Sequence, residues 1–318
     1  GCGQPMFAGN VISGLLIVTA IGYASWESAA WFVIGATGAT LAAKWMKGPE
    51  DLIEIGLFTF PVGYAGAIVG GFITETVGQV PLESWTLLIL ICLFAPVITM
   101  AFFFIASKFD NVLFTAAPVL VLIWLVLAGV LHGGVFAHPP AAGPEVAAAP
   151  VSWGWQTIVF GTLNAFGAGF MHPNPVTGGI ILLALAFHSR ISAGVGVLGC
   201  LITATLAWAT GVPAEGIANG DLLFNTLFVV IGLAGFFLYF SLNSALYALL
   251  AGVLALLIHV MAGVILKPWG LPPIVASFVI TNLIFMWAAQ GLKFVTPVPV
   301  ERLSRPEDNL LGKASGAM

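Results

Sequence analysis

Long apolar runs with almost no charge inside them constrain this chain more than any other feature. Runs at 11–25, 28–45, 61–77, 85–107 and 110–131 come first, and runs at 175–189, 192–210, 225–241, 244–265 and 272–292 follow an Ala- and Pro-rich stretch. A helix crossing the hydrocarbon core of a bilayer needs about 20 predominantly apolar residues, and each run is near that length. Only 7% of the residues are charged, against about 25% in a soluble domain, so a soluble globular enzyme is excluded. The runs are continuous rather than alternating, which argues against an outer-membrane barrel. The net charge of −4 is small and dispersed and offers no basic face to a nucleic acid. The expected fold class is an all-α integral membrane protein with ten transmembrane helices in a lipid bilayer.

Nothing in the pattern calls for chemistry. Cys2, Cys92 and Cys200 have no metal-ligand spacing, and the last two lie in apolar runs where a thiol packs as a small hydrophobe. No basic region precedes the first run, so no cleavable signal peptide is expected. His132 and His138 flank the linker, and His188 and His259 read as interfacial or packed histidines. No His, Cys and carboxylate set has the spacing of a metal site, and no nucleophile has a base partner. No cofactor and no enzymatic activity are expected. Trp26, Trp31, Trp153 and Trp155 suit anchoring at the membrane interface.

The chain repeats itself. Asn10-Val11-Ile12-Ser13-Gly14 returns as Asn174-Pro175-Val176-Thr177-Gly178, and Gly56-Leu57-Phe58-Thr59-Phe60 returns as Gly220-Asp221-Leu222-Leu223-Phe224, each 164 positions on. Lys108 and Lys267, 159 apart, each stand beside an apolar helix. Near-constant offsets point to a duplicated unit. Five spans per unit is an odd number, so the second copy lies inverted. With a cytoplasmic N-terminus, Lys44, Lys47, Lys108, Arg190, Lys293, Arg302, Arg305 and Lys313 fall inside and only Lys267 outside, as the positive-inside rule requires. The expected divisions are a first repeat over 1–132, an extracytoplasmic linker over 133–154, an inverted repeat over 155–300, and a polar, loosely ordered cytoplasmic tail over 301–318. Glu50–Phe60 and Val212–Phe224 are too short to cross and are expected as half-crossing, re-entrant helices around a central pore, which is where inverted repeats place a path. Glu54 and Asp221 lie on these segments, either on the path or in water at its mouth.

These landmarks resemble the urea transporter family. Its signature entering the first span of each half, Gln-x-x-x-x-Asn-Asn-Pro-x-x-Gly, corresponds to Gln4–Gly14, which keeps only Asn10 of the Asn-Asn-Pro element, and to Ala168–Gly178, which keeps Asn174 and Pro175 and has His172 where the family often has Gln. Its half-helix motif is matched by Gly56, Leu57 and Phe60, and by Gly220, Phe224 and Asn225. Its last-span motif is matched by Trp269-Gly270-Leu271-Pro272 and then Phe278, with Pro118 to Trp124 as the first-half partner. The resemblance runs from about residue 3 to about residue 295. It implies two inverted halves around a pore, a homotrimer in the plasma or inner membrane, and channel-like passage of urea or a small amide. Phe60 and Phe224 would wall an aromatic slot, with Phe7 and Met171 at the other entrance. Asn10, Asn174, Asn225 and Asn282 would offer amides to the path or cap helices, and His172 would stand at the pore mouth.

The pattern also departs from the family. The half-helix Asn is Pro61 in the first unit and Asn225 in the second. A mid-pore threonine position holds Ile123 in one half and Asn282 in the other. An alkyl group accepts no hydrogen bond, and an unmade bond to a polar solute costs about 1–3 kcal/mol. A non-conducting accessory subunit of a larger membrane complex is therefore the alternative to a urea channel, and a narrower, more apolar path for ammonia is a third reading.

Overall fold

The computed structural model describes residues 1–77, 82–109, 115–132 and 151–311, and within them every side chain except those of 69–77, 82–84, 130–132 and 301. Most of the expected linker, Lys313 and the end of the tail lie outside these residues. Every regular element among the described residues is helical. The α-helices are α1 (Val11–Ala24), α2 (Trp26–Trp45), α3 (Glu50–Glu54), α4 (Thr59–Val77), α5 (Leu82–Ala106), α6 (Ala117–His132), α7 (Trp155–Ala168), α8 (Pro175–His188), α9 (Arg190–Ala209), α10 (Ala214–Ala218), α11 (Phe224–Leu233), α12 (Leu242–Leu266) and α13 (Ala276–Gly291).

Four stretches are long and apolar enough to cross a membrane, Glu50–Ile68, Trp85–Ala106, Arg190–Ala209 and Leu242–Trp269, and five shorter helices are apolar as well. The helices sort their side chains as membrane helices do. On α12 the outward face is Leu246, Leu250, Leu257 and Val264, an apolar stripe that only lipid or another apolar surface would cover. Its inward face is Ala248, Ala251, Gly252, Ala255 and Ala262. Small inward residues let backbones approach closely, where van der Waals packing holds helices together in lipid. The inner faces of α2 (Gly35, Ala36, Ala39, Ala43) and α9 (Gly196, Gly199, Ala204, Ala207) follow the same rule.

The duplication reaches the backbone. Asn10 and Asn174 cap α1 and α8, each side chain accepting from the first-turn backbone. Ser25 and Ser189 end those helices and cap the next, with φ,ψ of −153°,115° and −150°,117°. Positive φ pairs up in the same way: Phe7 with Met171 (55° and 63°), Gly56 with Gly220 (80° and 78°), and Thr115 with Ile274 (44° and 46°). Gly56 and Gly220 have a second reason to be glycine. A Cβ on Gly56 would lie 2.6 Å from the Gly1 Cα, and one on Gly220 would lie 2.4 Å from the backbone N of Ala165. Gly1 and Ala165 are themselves 164 apart, so the same close approach is made twice.

The structure corrects several expectations. The segments Glu50–Phe60 and Val212–Phe224 are not continuous helices. Each holds one five-residue helix, α3 or α10, followed by a glycine-bearing turn. The short inner helix is α11, whose ten residues reach about 15 Å. The apolar run 225–241 is therefore helical only to Leu233, because Gly235 at φ 108° breaks it. Helix α7 was not marked as an element by the sequence, where it hides as a half-apolar stretch. Trp31 is not an interfacial anchor, and Trp153 is only half-buried. Trp31 is buried and stacks on Trp85 at 5.2 Å, and the Trp153 indole donates to the Val212 carbonyl, while Trp26 and Trp155 are exposed.

The tail is not loose as far as Leu311. Phe240 N–H donates to the Asn309 carbonyl, Leu311 N–H to the Phe240 carbonyl, and the buried Asn309 amide to the Gly235 carbonyl. Glu307 accepts from the Ile191 N–H at the start of α9. Burial opposes the Glu307 carboxylate, and hydrogen bonds from the Ile191 backbone, Ser189 and neighbouring backbone groups outweigh it, holding its pKa below the usual carboxylate range. Asp308 keeps the exposed Arg305 guanidinium above its usual range by a 2.9 Å ion pair.

Candidate functional site

Aromatic rings form a connected chain through the interior. Phe32 meets Phe170 at 6.3 Å, Phe170 meets Tyr64 at 5.4 Å, and Tyr64 meets Phe228 at 6.4 Å. Phe228 meets Phe278 at 5.8 Å, Phe278 meets Phe7 at 6.2 Å, and Phe7 meets Phe236 at 4.8 Å and Phe237 at 5.5 Å. The chain draws on both units: Phe7, Phe32 and Tyr64 from the first, the rest from the second. These contacts are tilted or edge-on, the geometry that the ring quadrupole favours. A flat solute lying between two rings would need them about 7 Å apart, two contact distances of about 3.5 Å. These neighbours are closer than that and stand at steep angles.

The sequence-derived site residues divide into three groups. Asn10 and Asn174 are helix caps. The Asn10 amide also lies 2.9 Å from the Ser13 hydroxyl and 3.1 Å from His188 Nδ1, and the Asn174 carbonyl oxygen accepts from Val176 and Thr177 N–H. Phe7, Phe60 and Met171 are partly buried against the main core, and Phe224 is buried with its ring edge-on to Phe228 and to the His259 imidazole. Phe7 joins the aromatic chain. Phe60 and Phe224 stand one helical turn before Tyr64 and Phe228 on α4 and α11.

The third group is buried and polar, or its repeat partner. Asn225 has no exposed surface and every hydrogen-bonding group used. Its oxygen accepts from Phe278 N–H, and its nitrogen donates to the Ile274 carbonyl and lies 2.9 Å from His259 Nδ1. It fastens α11 to α12 and α13. Asn282 is the opposite case. It is fully buried, and among the described residues neither its oxygen nor its nitrogen has a partner. The neighbouring Thr281 hydroxyl is buried without one too. Ile123 occupies the equivalent place on α6 and is fully buried in the core. His172 is buried, with Nε2 unpartnered among the described residues.

Glu54 and Asp221 are exposed, Glu54 at the end of α3 and Asp221 in the turn before α11. The His259 ring is buried and faces Asp221 at 3.7 Å. No group of three or more His, Cys, Asp or Glu among the described residues could hold a metal ion. The sequence reading missed Tyr64, Phe170, Phe228, Phe236, Phe237 and the role of Phe278. A signal existed for one pair: Tyr64 and Phe228 are 164 apart and each lies four residues beyond a residue already singled out. The fold dictates such an interior. Polar backbone at α11 is satisfied within the helix, and the apolar rings around it fill the space between the two units.

Comparison with known proteins bears on the family. The family model described as "Urea transporter" matches residues 1–290. Among curated proteins, the chain is similar to urea transporter 1 of Ovis aries, 24% identical over 97% of this chain and 80% of that protein. It is similar to urea transporter 1 of Mus musculus at 23% identity, again over 97% of this chain and 80% of that protein.

Proposed function

The chain belongs to the urea transporter family, and on that footing we propose that it passes urea, or a closely related small neutral polar solute, down its gradient through a channel-like path between its two units. The family is one of passive transporters and not of enzymes. Urea is planar, neutral and strongly polar, so the path has to replace its water with acceptors and donors and to select a flat shape.

The observation that carries this reading is Asn282. A buried amide left without partners costs about 1–3 kcal/mol for each unmade bond, and native interiors rarely accept that. A solute N–H meeting Oδ1, and a solute oxygen meeting Nδ2, would supply the missing partners for as long as the solute passes. The aromatic chain beside it supplies apolar walls. Because its rings now touch, passage requires them to turn, with Phe7, Phe60, Met171, His172 and Phe224 bordering the path. The comparisons lend the accessory-subunit reading no support.

The membrane arrangement belongs to the same proposal. The two units over 1–132 and 155–300 lie inverted in the plasma or inner membrane, with both termini cytoplasmic and the linker over 133–154 outside. Ten crossings result if α11 and the non-helical chain after it complete one crossing together. A homotrimer is the assembly this reading takes over from the family resemblance, with no further partner needed. Purified protein in lipid vesicles tests the function. Stopped-flow shrinkage under a urea gradient should exceed that of empty vesicles, and parallel runs with small amides and ammonia rank the solutes. Urea shrinkage no faster than in empty vesicles would refute the reading.

A further inference from the structure

The start of α11 is held by a lock that only one unit possesses. Asn225 is oriented by backbone on two sides: Phe278 N–H to its oxygen at 3.0 Å and its nitrogen to the Ile274 carbonyl at 2.8 Å. That fixes the second hydrogen on its nitrogen toward His259 Nδ1, 2.9 Å away. The Ser277 hydroxyl reaches the same ring nitrogen at 3.4 Å. Two donors converge on Nδ1, so this nitrogen is the acceptor and the ring proton sits on Nε2, facing the Asp221 carboxylate at 3.7 Å.

The fold does not demand this cluster. At the equivalent places in the first unit, Asp221 is matched by Leu57, Asn225 by Pro61, His259 by Thr99 and Ser277 by Pro118. Helices α5 and α12 are both 25 residues long, and α4 and α6 form without a comparable lock. The cluster therefore answers a need other than folding. It also borders the aromatic chain: the His259 ring stands edge-on to Phe224 at 5.7 Å, and Phe278, whose N–H Asn225 holds, touches Phe7 and Phe228.

We propose that His259 is a positioning residue whose protonation releases Asn225 and with it the aromatic wall, so that solute passage falls in acid. A proton on Nδ1 turns the acceptor into a donor pointed at the Asn225 N–H. Because the backbone on both sides holds that amide, it cannot flip without losing the Ile274 and Phe278 bonds. The Ser277 hydroxyl, 3.4 Å from Nδ1, turns to accept that proton, but the Asn225 N–H is left without an acceptor, which loosens the first turns of α11 and α13. The Asp221 carboxylate, more than half exposed, faces the Nε2–H of the buried His259 ring, and the added proton is taken on Nδ1 as its contacts with Asn225 and Ser277 open. The other charged and titratable neighbours are few. Helices α11 and α13 carry none. Helix α9 carries Arg190 at its first residue and Cys200, whose thiol is turned to the Leu223 carbonyl. Tyr247 and Lys267 lie 12 and 8 residues along from His259 at the ends of α12, about 18 Å and about 12 Å away along the axis.

The proposal rests on the urea path of the preceding subsection, and two readouts separate them. The first is urea shrinkage of vesicles between about pH 8 and about pH 5, the range in which imidazoles change charge, with each protein normalised to its own value at the alkaline end. Wild type should slow about five-fold, the effect of about one net hydrogen bond. His259→Gln, whose side-chain oxygen accepts at any pH, should stay flat, and Asn225→Asp, which offers a carboxylate to a protonated ring, should lose or reverse the acid response. The second readout is thermal unfolding of the detergent-solubilised protein over the same range, which needs no transport. Wild type should lose stability in acid relative to His259→Gln. No urea flux at any pH would fail the transport reading and leave the lock to be judged by unfolding alone. A flat wild-type profile, or an acid loss that His259→Gln shares in both readouts, overturns the lock.

Discussion

Tyr64 and Phe228 are equivalent residues of the two repeats, and their rings touch, edge to face, at 6.4 Å. The two copies thus meet at equivalent positions. The Tyr64 hydroxyl is not free at that meeting point: it donates to the Gly169 carbonyl, in the turn leading to α8. The contact therefore joins three things, namely α4, α11 and the entrance to α8.

Substitutions at this pair should destabilise unequally. Tyr64→Phe keeps the ring and deletes one buried bond, which should cost about 1 kcal/mol. Phe228→Ala empties a fully packed place and should cost about 3–5 kcal/mol. Because the rings touch, the double variant Tyr64→Ala with Phe228→Ala should cost less than its singles summed, by about 0.5 kcal/mol or more. Chemical unfolding in detergent measures these variants together with Tyr64→Ala alone. Full additivity would show that the two rings do not share a packing site.

Glycine at the repeat landmark is required twice over, by conformation and by space. Gly220→Ala has to place a Cβ at φ 78° and 2.4 Å from the Ala165 backbone. The first costs about 1–2 kcal/mol and the second about 1–3 kcal/mol. Gly179 is the control: it lies within α8, and a Cβ there meets nothing within 4 Å, so Gly179→Ala should be neutral or stabilise by up to about 1 kcal/mol. Melting temperatures and the yield of folded protein should separate the two clearly. A tolerated Gly220→Ala would mean that the turn before α11 is not built as described.

The tail gives a pH dependence with a definite sign. Glu307 has its folded pKa lowered, because hydrogen bonds from Ile191, Ser189 and nearby backbone outweigh the burial that opposes them. A carboxyl lowered on folding adds stability above its unfolded pKa and loses it as pH falls through the folded value. Glu307→Gln should therefore melt earlier than wild type at neutral pH, and the two should converge in strong acid. A gap that widens on acidification would contradict the assignment.

Sequence alone conveyed the helical membrane character, the 164-residue offset and the caps at Asn10 and Asn174, because each is written in local patterns. It missed α7, whose inner face is Thr157, Gly161, Thr162 and Asn164 rather than a run of large apolar residues. The run at 225–241 read as one span because apolar composition is blind to Gly235, where a positive φ ends the helix. It also left the tail loose, although Asn309 is tied to Gly235 across 74 positions of sequence. Ring contacts such as Phe7 with Phe278 join residues far apart in the chain, and no periodicity encodes them. The Ser25 and Ser189 caps, with Ser28 and Ser192 three residues on, were legible at the same offset of 164 and add two landmarks to the repeat.

The pair Ile123 and Asn282 bears most directly on selectivity. Both are fully buried at equivalent places on α6 and α13, and the segment leading into α13 is tied to α6 by the Trp124 indole, which donates to the Pro272 carbonyl. On the path proposed above, one side is an alkyl group and the other an amide with no partner among the described residues. Urea shedding water at this level finds acceptors on one side only. Each missing bond costs about 1–3 kcal/mol, and each 1.4 kcal/mol of barrier is about tenfold in rate. Urea flux per protein should therefore lie about one to two decades below that of a relative with oxygen on both sides. Ile123→Thr supplies the second oxygen in a side chain smaller by a methyl group and should raise flux by about tenfold, while Asn282→Leu should lower it and, by removing an unsatisfied amide, raise thermal stability. Stopped-flow shrinkage and melting temperature read the two effects separately. A wild-type flux equal to that of such a relative, unmoved by Ile123→Thr, would show that Ile123 stands outside the path. An Asn282→Leu variant less stable than wild type would show that the amide has a structural partner and is not held open for solute.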